Sequence, residues 1–151
     1  MEREIKARIG DVDAAQDQIE RSGGIGLGIS SYHYTYFFQP PGHVLKLTSH
    51  EGEVHRTRMR RDGDTFIITE KTLIANPDNE LESLGSRYGI KRVMHNRRTR
   101  YQLGDATVSI NEISGLGIFL IVASDSPTIE QVRHLLGTES PNLVVDSFDD
   151  L

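Results

Sequence analysis

Charged and apolar side chains alternate along residues 1–10. Because successive side chains of an extended strand point to opposite faces, one face of this segment carries only charges. That face consists of Glu2, Glu4, Lys6 and Arg8. An ordinary half-exposed strand would turn these charges to solvent. A closed sheet would instead turn them into a water-filled interior and pack the apolar residues against covering helices.

Alternation and turn signals predict seven or eight strands, mostly linked by hairpins, and three helices. After the first strand, strands are predicted at residues 32–38, 44–48, 53–61, 65–72, 90–102, 106–113 and 118–123. Capping residues and glycines predict helices at 11–21, 78–88 and 128–136. The glycine-rich residues 24–31 are predicted to form a flexible connection.

Basic residues fall on one alternating face of several later strands. They are Arg56, Arg58 and Arg60 in one strand, Lys71 in the next, and Arg98 and Arg100 further on. Exposed faces would give an unremarkable wet sheet, whereas convergent faces would give a basic tunnel. Guanidinium groups on several walls suit an oligophosphate. Two carboxylates spaced like Glu2 and Glu4 suit a divalent cation that bridges phosphates.

Composition narrows the function classes further. The net charge of -5 argues against binding of nucleic-acid polymers. The absence of cysteine excludes disulfides, thiolate metal sites and a thiol nucleophile. No apolar run approaches the roughly 20 residues of a membrane span, and the N-terminus is too charged for a secretory signal. We expect a single domain over 1–151, a cytoplasmic location and no membrane partner, with a homodimer as one open option.

Seven short segments, in order, resemble motifs of one family. They are 2–6 (ExExK), 34–37 (YTYF for DTYF), 58–60 (RxR), 69–71 (TxK), 97–101 (RRTxY), 115–117 (GLG) and 147–151 (SFDDL for SYxDLL). Together they resemble the CYTH family, the class IV adenylate cyclases and thiamine triphosphatases, also called triphosphate tunnel metalloenzymes. The resemblance covers nearly the whole chain.

This resemblance implies an α+β fold with a closed eight-stranded antiparallel β-tunnel and about three covering helices. It implies that Glu2 and Glu4 hold Mg²⁺ or Mn²⁺ and, with Lys6, carry catalysis. With the alternation described above, it implies a set of basic residues that bind the substrate phosphates. That set is Lys6, Arg8, Arg56, Arg58, Arg60, Lys71, Arg98 and Arg100.

The chain departs from the family pattern at several positions of the expected site. Asn111 stands at the position of a family aspartate, and Ile121 and Ala123 stand at the positions of two glutamates. Asn96 replaces a family lysine, and Tyr34 replaces the acid of DTYF. Alternation points the neighbouring Glu112 to the opposite face unless a bulge re-aims it. Half of the expected metal site is therefore missing.

Three functions stay open. The first is a phosphohydrolase or a nucleotide cyclase of the lyase type, acting on a nucleotide or an organic or inorganic triphosphate. The second is a non-catalytic nucleotide or oligophosphate binder or sensor that has lost the metal site. The third is metal-independent chemistry on an unusual nucleotide. Two simpler interpretations apply to single residues: Lys6 and Lys71 could pair with Glu2 and Glu4, and the tyrosines at 32, 34 and 36 could serve packing.

Overall fold

The computed structural model describes residues 1–151 and contains eight strands and three α-helices. The strands are β1 (Arg3–Arg8), β2 (Ile25–Phe37), β3 (His43–His50), β4 (Glu53–Asp62), β5 (Thr65–Leu73), β6 (Ile90–Leu103), β7 (Ala106–Ile113) and β8 (Gly117–Ser124). The helices are α1 (Val12–Arg21), α2 (Pro77–Tyr88) and α3 (Ile129–Leu136), and a short 3₁₀ helix spans Phe148–Asp150.

The strands form a closed barrel in the order β1-β5-β4-β3-β2-β6-β7-β8, and all neighbouring pairs are antiparallel. The predicted α+β fold, a closed eight-stranded tunnel with three helices, is confirmed. The prediction of a flexible connection over 24–31 is wrong, because β2 begins at Ile25 and pairs there with Gln102 of β6. This long antiparallel pairing outweighs the low strand propensity of glycine.

The helices cover the outer face of the barrel. Ile5 and Ala7 point outward from β1 into an apolar cluster that includes Ile19 of α1 and Val132 of α3. Complete burial of such a side chain contributes about 1.5–3 kcal/mol. On the other side of the barrel, Leu84 of α2 packs in a separate cluster with residues of β2 and β3. None of the helices is long and apolar enough to cross a membrane.

Local capping sets where the helices begin. Asp11 accepts a hydrogen bond from the backbone amide of Ala14 at 3.0 Å and starts α1. Thr128 and Gln131 form a reciprocal capping box at the start of α3. Both devices satisfy backbone amides that lack a partner within the helix. The predicted helix starts at 11 and 128 fall on these capping residues.

The C-terminal segment closes one end of the tunnel. Val144 and Phe148 join the apolar cluster of inward-facing residues at that end. The backbone amide of Val144 donates to the carbonyl of Lys6 at 2.8 Å, and the Phe148 ring lies 4.9 Å from the Phe119 ring. These contacts cover this end of the barrel, and the opposite, open end is called the mouth of the tunnel below.

Candidate functional site

The mouth of the tunnel leads into a cavity of about 370 Å³ lined by side chains from all eight strands. Its charged residues are Glu2, Glu4, Lys46, Lys71, Arg98 and Arg100. A fifth cation, Lys6, lies deeper, beside a narrow recess at the closed end. Five cationic side chains therefore face two carboxylates, and the interior is basic although the whole chain is acidic.

The first strand is oriented as its alternation predicts, with Glu2, Glu4 and Lys6 facing inward. Lys6 is only 5% exposed and donates to the carbonyl of Asp146 at 3.0 Å. Its Nζ lies 4.4 Å from the ring centroid of Phe66 and equally far from that of Phe148. Burial is the main cause that lowers the pKa of Lys6 to about 8. The Lys6 ammonium group is thus held by a backbone carbonyl and two aromatic rings, and it forms no salt bridge with Glu2 or Glu4.

Arg8 does not line the cavity. Its guanidinium donates to the carbonyl of Leu116 at 3.2 Å and lies 4.9 Å from the centroid of the Phe119 ring. Arg8 stands at the far end of β1, six residues beyond Glu2 and close to the turn between β7 and β8. The prediction that Arg8 faces the ligand cavity is therefore wrong.

The predicted arginine face of β4 points outward, and this corrects the expectation for Arg56, Arg58 and Arg60. Arg56 donates to Glu70 at 2.9 Å and to Glu80 of α2 at 2.6 Å, and Arg58 lies 3.3 Å from Glu70. Arg60 is exposed. Ion pairs with Glu70 and with Glu80 of α2 stabilise the outward orientation of this face. The inward face of β4 consists of His55, Thr57 and Met59.

We expect Arg56→Met to lower the free energy of unfolding by about 1–2 kcal/mol without changing phosphate binding, because Arg56 makes partly buried ion pairs outside the tunnel. Urea denaturation and titration with tripolyphosphate measure the two effects. Loss of phosphate binding in this variant would show that Arg56 does contribute to the binding site.

A bulge re-aims Lys71 into the cavity. Along β5, Phe66 and Ile68 face inward, so strict alternation would turn Lys71 outward. The pairing register shifts between Arg58 and Met59, which leaves Thr69 as the extra residue. Past this bulge the odd-numbered positions face inward, and Lys71 lines the mouth.

Lys46 of β3 is a cavity residue that the sequence interpretation missed. Its Nζ lies 4.4 Å from the centroid of the Tyr34 ring and has no hydrogen-bond or salt-bridge acceptor in the protein. Desolvation by the surrounding barrel is the main cause that lowers its pKa to about 8. A signal existed: the alternating neighbours Leu45 and Leu47 are buried under α2, which leaves Lys46 facing inward.

Arg98 is held by a buried polar network. Its Nε donates to Asn111 Oδ1 at 2.7 Å and its Nη2 to the Tyr34 hydroxyl at 3.0 Å. Asn96 Nδ2 donates to the same two acceptors, at 2.9 Å each. The two asparagine departures from the family pattern are therefore neighbours that bind each other. The Nε of Arg100 is buried without any acceptor in the protein.

The inward-facing residues do not fit a two-ion metal site. Ile121 and Ala123 line the cavity, and Asn111 is fully buried, with a carbonyl oxygen that already accepts two hydrogen bonds. Glu112 points outward and pairs with Arg97 at 2.7 Å. No group of three metal-ligating side chains occurs in the structure. Glu2 and Glu4 are the two carboxylates that line the cavity.

Aromatic side chains cover the wall between Arg98 and the mouth. Tyr34 and Tyr36 are almost fully buried, in agreement with a packing role. Tyr32 stacks on His50, with 4.1 Å between ring centroids, and the Arg98 guanidinium lies 4.8 Å from the Tyr32 centroid. His50 also lines the mouth and completes this aromatic wall.

No family model matches the chain, and no curated protein matches it in sequence. Several solved structures are similar. PH1012 protein from Pyrococcus horikoshii OT3 has a TM-score of 0.85 at 22% identity, covering 100% of this chain and 99% of its own. A Vibrio parahaemolyticus protein described as a candidate adenylate cyclase has a TM-score of 0.66 at 17% identity, over 90% of this chain and 82% of its own.

HpAC1 from Hippeastrum is described as a candidate adenylyl cyclase with a dominant triphosphatase activity. Its TM-score is 0.58 at 16% identity, over 91% of this chain and 85% of its own. At these identities the likeness establishes a shared fold. That fold is the closed tunnel which the resemblance to CYTH proteins implied.

Proposed function

We propose that this protein binds a nucleotide or another organic or inorganic triphosphate through its phosphate chain, inside the basic tunnel. One observation carries the proposal: Lys46, Lys71, Arg98 and Arg100 face one cavity, and none has a carboxylate within 4.0 Å. These four enclosed cations outnumber the two carboxylates of the cavity and repel one another, so an anion that enters relieves the repulsion. We place this binding in the cytoplasm, as the sequence predicts.

The arrangement of the cations favours an oligophosphate over a single carboxylate. Lys46, Lys71 and the two arginines project from three different strands, and Arg98 and Arg100 are spaced about 7 Å apart along β6. One carboxylate cannot contact charges so far apart, whereas a phosphate chain presents oxygens along its length. A cavity of about 370 Å³ lies within the range that accepts a small organic ligand.

Hydrolysis of the bound triphosphate is the second candidate. It is favoured by the position of Glu2 and Glu4 at the cation-lined cavity, and by the triphosphatase activity described for the Hippeastrum protein of the same fold. A single divalent ion held there would neutralise phosphate charge and activate water. The cations of the tunnel would bind the phosphates and stabilise the charge that develops during cleavage.

Titration calorimetry with tripolyphosphate and ATP, first in EDTA and then in Mg²⁺, tests the proposal. We expect binding in EDTA, because the cations rather than a metal ion neutralise the phosphates. Orthophosphate, which contacts fewer cations, should bind at least 10-fold more weakly, a difference of about 1.4 kcal/mol. Product analysis of the same samples separates a binder from an enzyme.

Each result has a defined meaning. Binding in EDTA without product supports a metal-independent binder, and product formed only with Mg²⁺ supports the hydrolytic candidate. If neither tripolyphosphate nor ATP produces heat or raises the melting temperature under either condition, the proposed function is wrong.

A further inference from the structure

We propose that Lys46 is the inner anchor of the bound phosphate chain, the residue that contacts its innermost phosphoryl group. This proposal rests on the proposed function and adds to it a residue outside the recognised motifs. Lys46 and Arg98 are the two cations that border both the main cavity and the narrow recess behind it, so they stand at the inner limit of the space open to a ligand.

The other cations at this depth, Lys6 and Arg98, already donate to acceptors of the protein. Lys6 donates to the Asp146 carbonyl and lies between the rings of Phe66 and Phe148. Lys46 has no acceptor, although an ammonium group offers three donors. Of the two buried lysines, only Lys46 is thus free to bind an anion.

Neighbouring strands place Lys46 beside the outer cations. Its cross-strand partner on β4 is Thr57, whose own partner on β5 is Lys71. Cross-strand partners share one face of the sheet, so these three side chains form one row along the inner wall. Glu4 acts electrostatically to stabilise the charge of Lys46, whereas Arg98 and Lys71 oppose it. A phosphoryl group among them would be attracted to all three cations.

Lys46 also supplies the positive charge that the outward-facing arginines of β4 do not bring to the cavity. The outward-facing Arg56 and Arg58 are engaged by carboxylates, and the inner face of β4 contributes no lysine or arginine to the cavity. β3 supplies the charge that β4 does not. The Tyr34 ring, 4.4 Å from Nζ, stabilises the ammonium group in the cavity through its π face and leaves the three N–H donors free for phosphate oxygens.

Lys46→Met tests the proposal, with Arg60→Met as the matched control that removes one positive charge from the outer face. By titration in EDTA, we expect Lys46→Met to bind tripolyphosphate about 10- to 100-fold more weakly, and Arg60→Met to bind within about twofold of the wild type. Lys46→Arg, which keeps the charge, should restore most of the affinity. The Lys46→Met substitution should reduce the affinity for pyrophosphate less than the affinity for tripolyphosphate, since a shorter chain can bind near the mouth.

A second readout separates ligand contact from a structural role. Without ligand, Lys46→Met should melt at a higher temperature than the wild type, because a repelled buried charge is removed. A lower melting temperature together with equal losses for tripolyphosphate and pyrophosphate would assign Lys46 a structural role and overturn the proposal. Unchanged binding would also overturn it and leave tunnel binding intact, whereas failure of the wild type to bind would refute the proposed function itself.

Discussion

Replacing Arg98 by methionine should weaken tripolyphosphate binding by at least 100-fold, about 3 kcal/mol, while changing the free energy of unfolding by no more than about 1 kcal/mol. The loss of binding follows from the position of the guanidinium on the cavity wall, where its fork can bind phosphate oxygens. The small effect on folding follows from Asn96, which also donates to both protein acceptors of Arg98. Asn111 and Tyr34 therefore keep a hydrogen bond in the variant.

Arg97→Met is the control for this prediction. Arg97 is the adjacent residue of β6, faces the opposite side and forms an exposed ion pair with Glu112. Exposed pairs of this kind contribute at most about 1 kcal/mol. Calorimetric titration measures binding, and urea denaturation measures stability. Equal loss of affinity in both variants would mean that the phosphate binds by overall charge and not inside the tunnel.

The orientation of β1 could be predicted from sequence because both of its faces carry information. Its apolar positions require cover by helices, and its charged positions then have to point inward. The same logic failed for β4, where charge alone was used to choose the inner face. Arg56 satisfies its charge with Glu70 and Glu80, and these partners are distant in sequence. Counting cations on a strand therefore does not show where they point.

Two further inner cations depended on features that alternation alone does not reveal. Lys71 faces inward because the register shifts at Thr69, and no glycine or proline at that position signals a bulge. Lys46 is a single cation in an apolar strand and formed no visible basic face. The buried Leu45 and Leu47 would have identified its orientation once α2 was placed over β3. Lys71 was nevertheless named from the sequence through the TxK resemblance, whereas Lys46 was missed.

The contact between Asn96 and Asn111 could not be predicted from the sequence, although both residues were noticed there. Each was recognised in the sequence as a departure from the family pattern, one at a lysine position and one at an aspartate position. Their contact, with Asn96 donating to Asn111 at 2.9 Å, follows only from the pairing of β6 with β7. A lysine and an aspartate here would offset each other's charge, and so the paired amides leave the local net charge unchanged.

Raising the pH from 8 to 10.5 should stabilise the ligand-free protein and weaken its binding of tripolyphosphate. Burial lowers the pKa values of Lys6 and Lys46 from the ordinary lysine value of 10.5 to about 8 in the folded protein. Below pH 8 these lysines are protonated in both the folded and the unfolded chain, and the folded state carries the full desolvation cost. Between pH 8 and 10.5 the unfolded chain binds more protons, so stability rises with pH, and the gain is complete above 10.5.

Lys6 alone should contribute about 3 kcal/mol to this rise. Lys46 keeps part of its surface open to the cavity and should contribute less. The groups that act on these lysines are Glu4, Lys71, Arg98, Asp146 and Asp149, and the carboxylates favour the protonated form while the cations oppose it. Lys46 also opposes the charge of Lys6, so the two lysines titrate as neighbours.

Binding should change in the opposite direction, because deprotonation of Lys46 removes a positive charge that a phosphate would contact. Urea denaturation of the ligand-free protein and titration with tripolyphosphate, both in EDTA and at several pH values between about 7 and 10.5, measure the two trends. Lys46→Met should reduce the pH dependence of both, and the remaining rise in stability should come from Lys6. Parallel trends in the wild type, with stability and affinity falling together, would mean that the lysines are protonated throughout and that global unfolding controls binding.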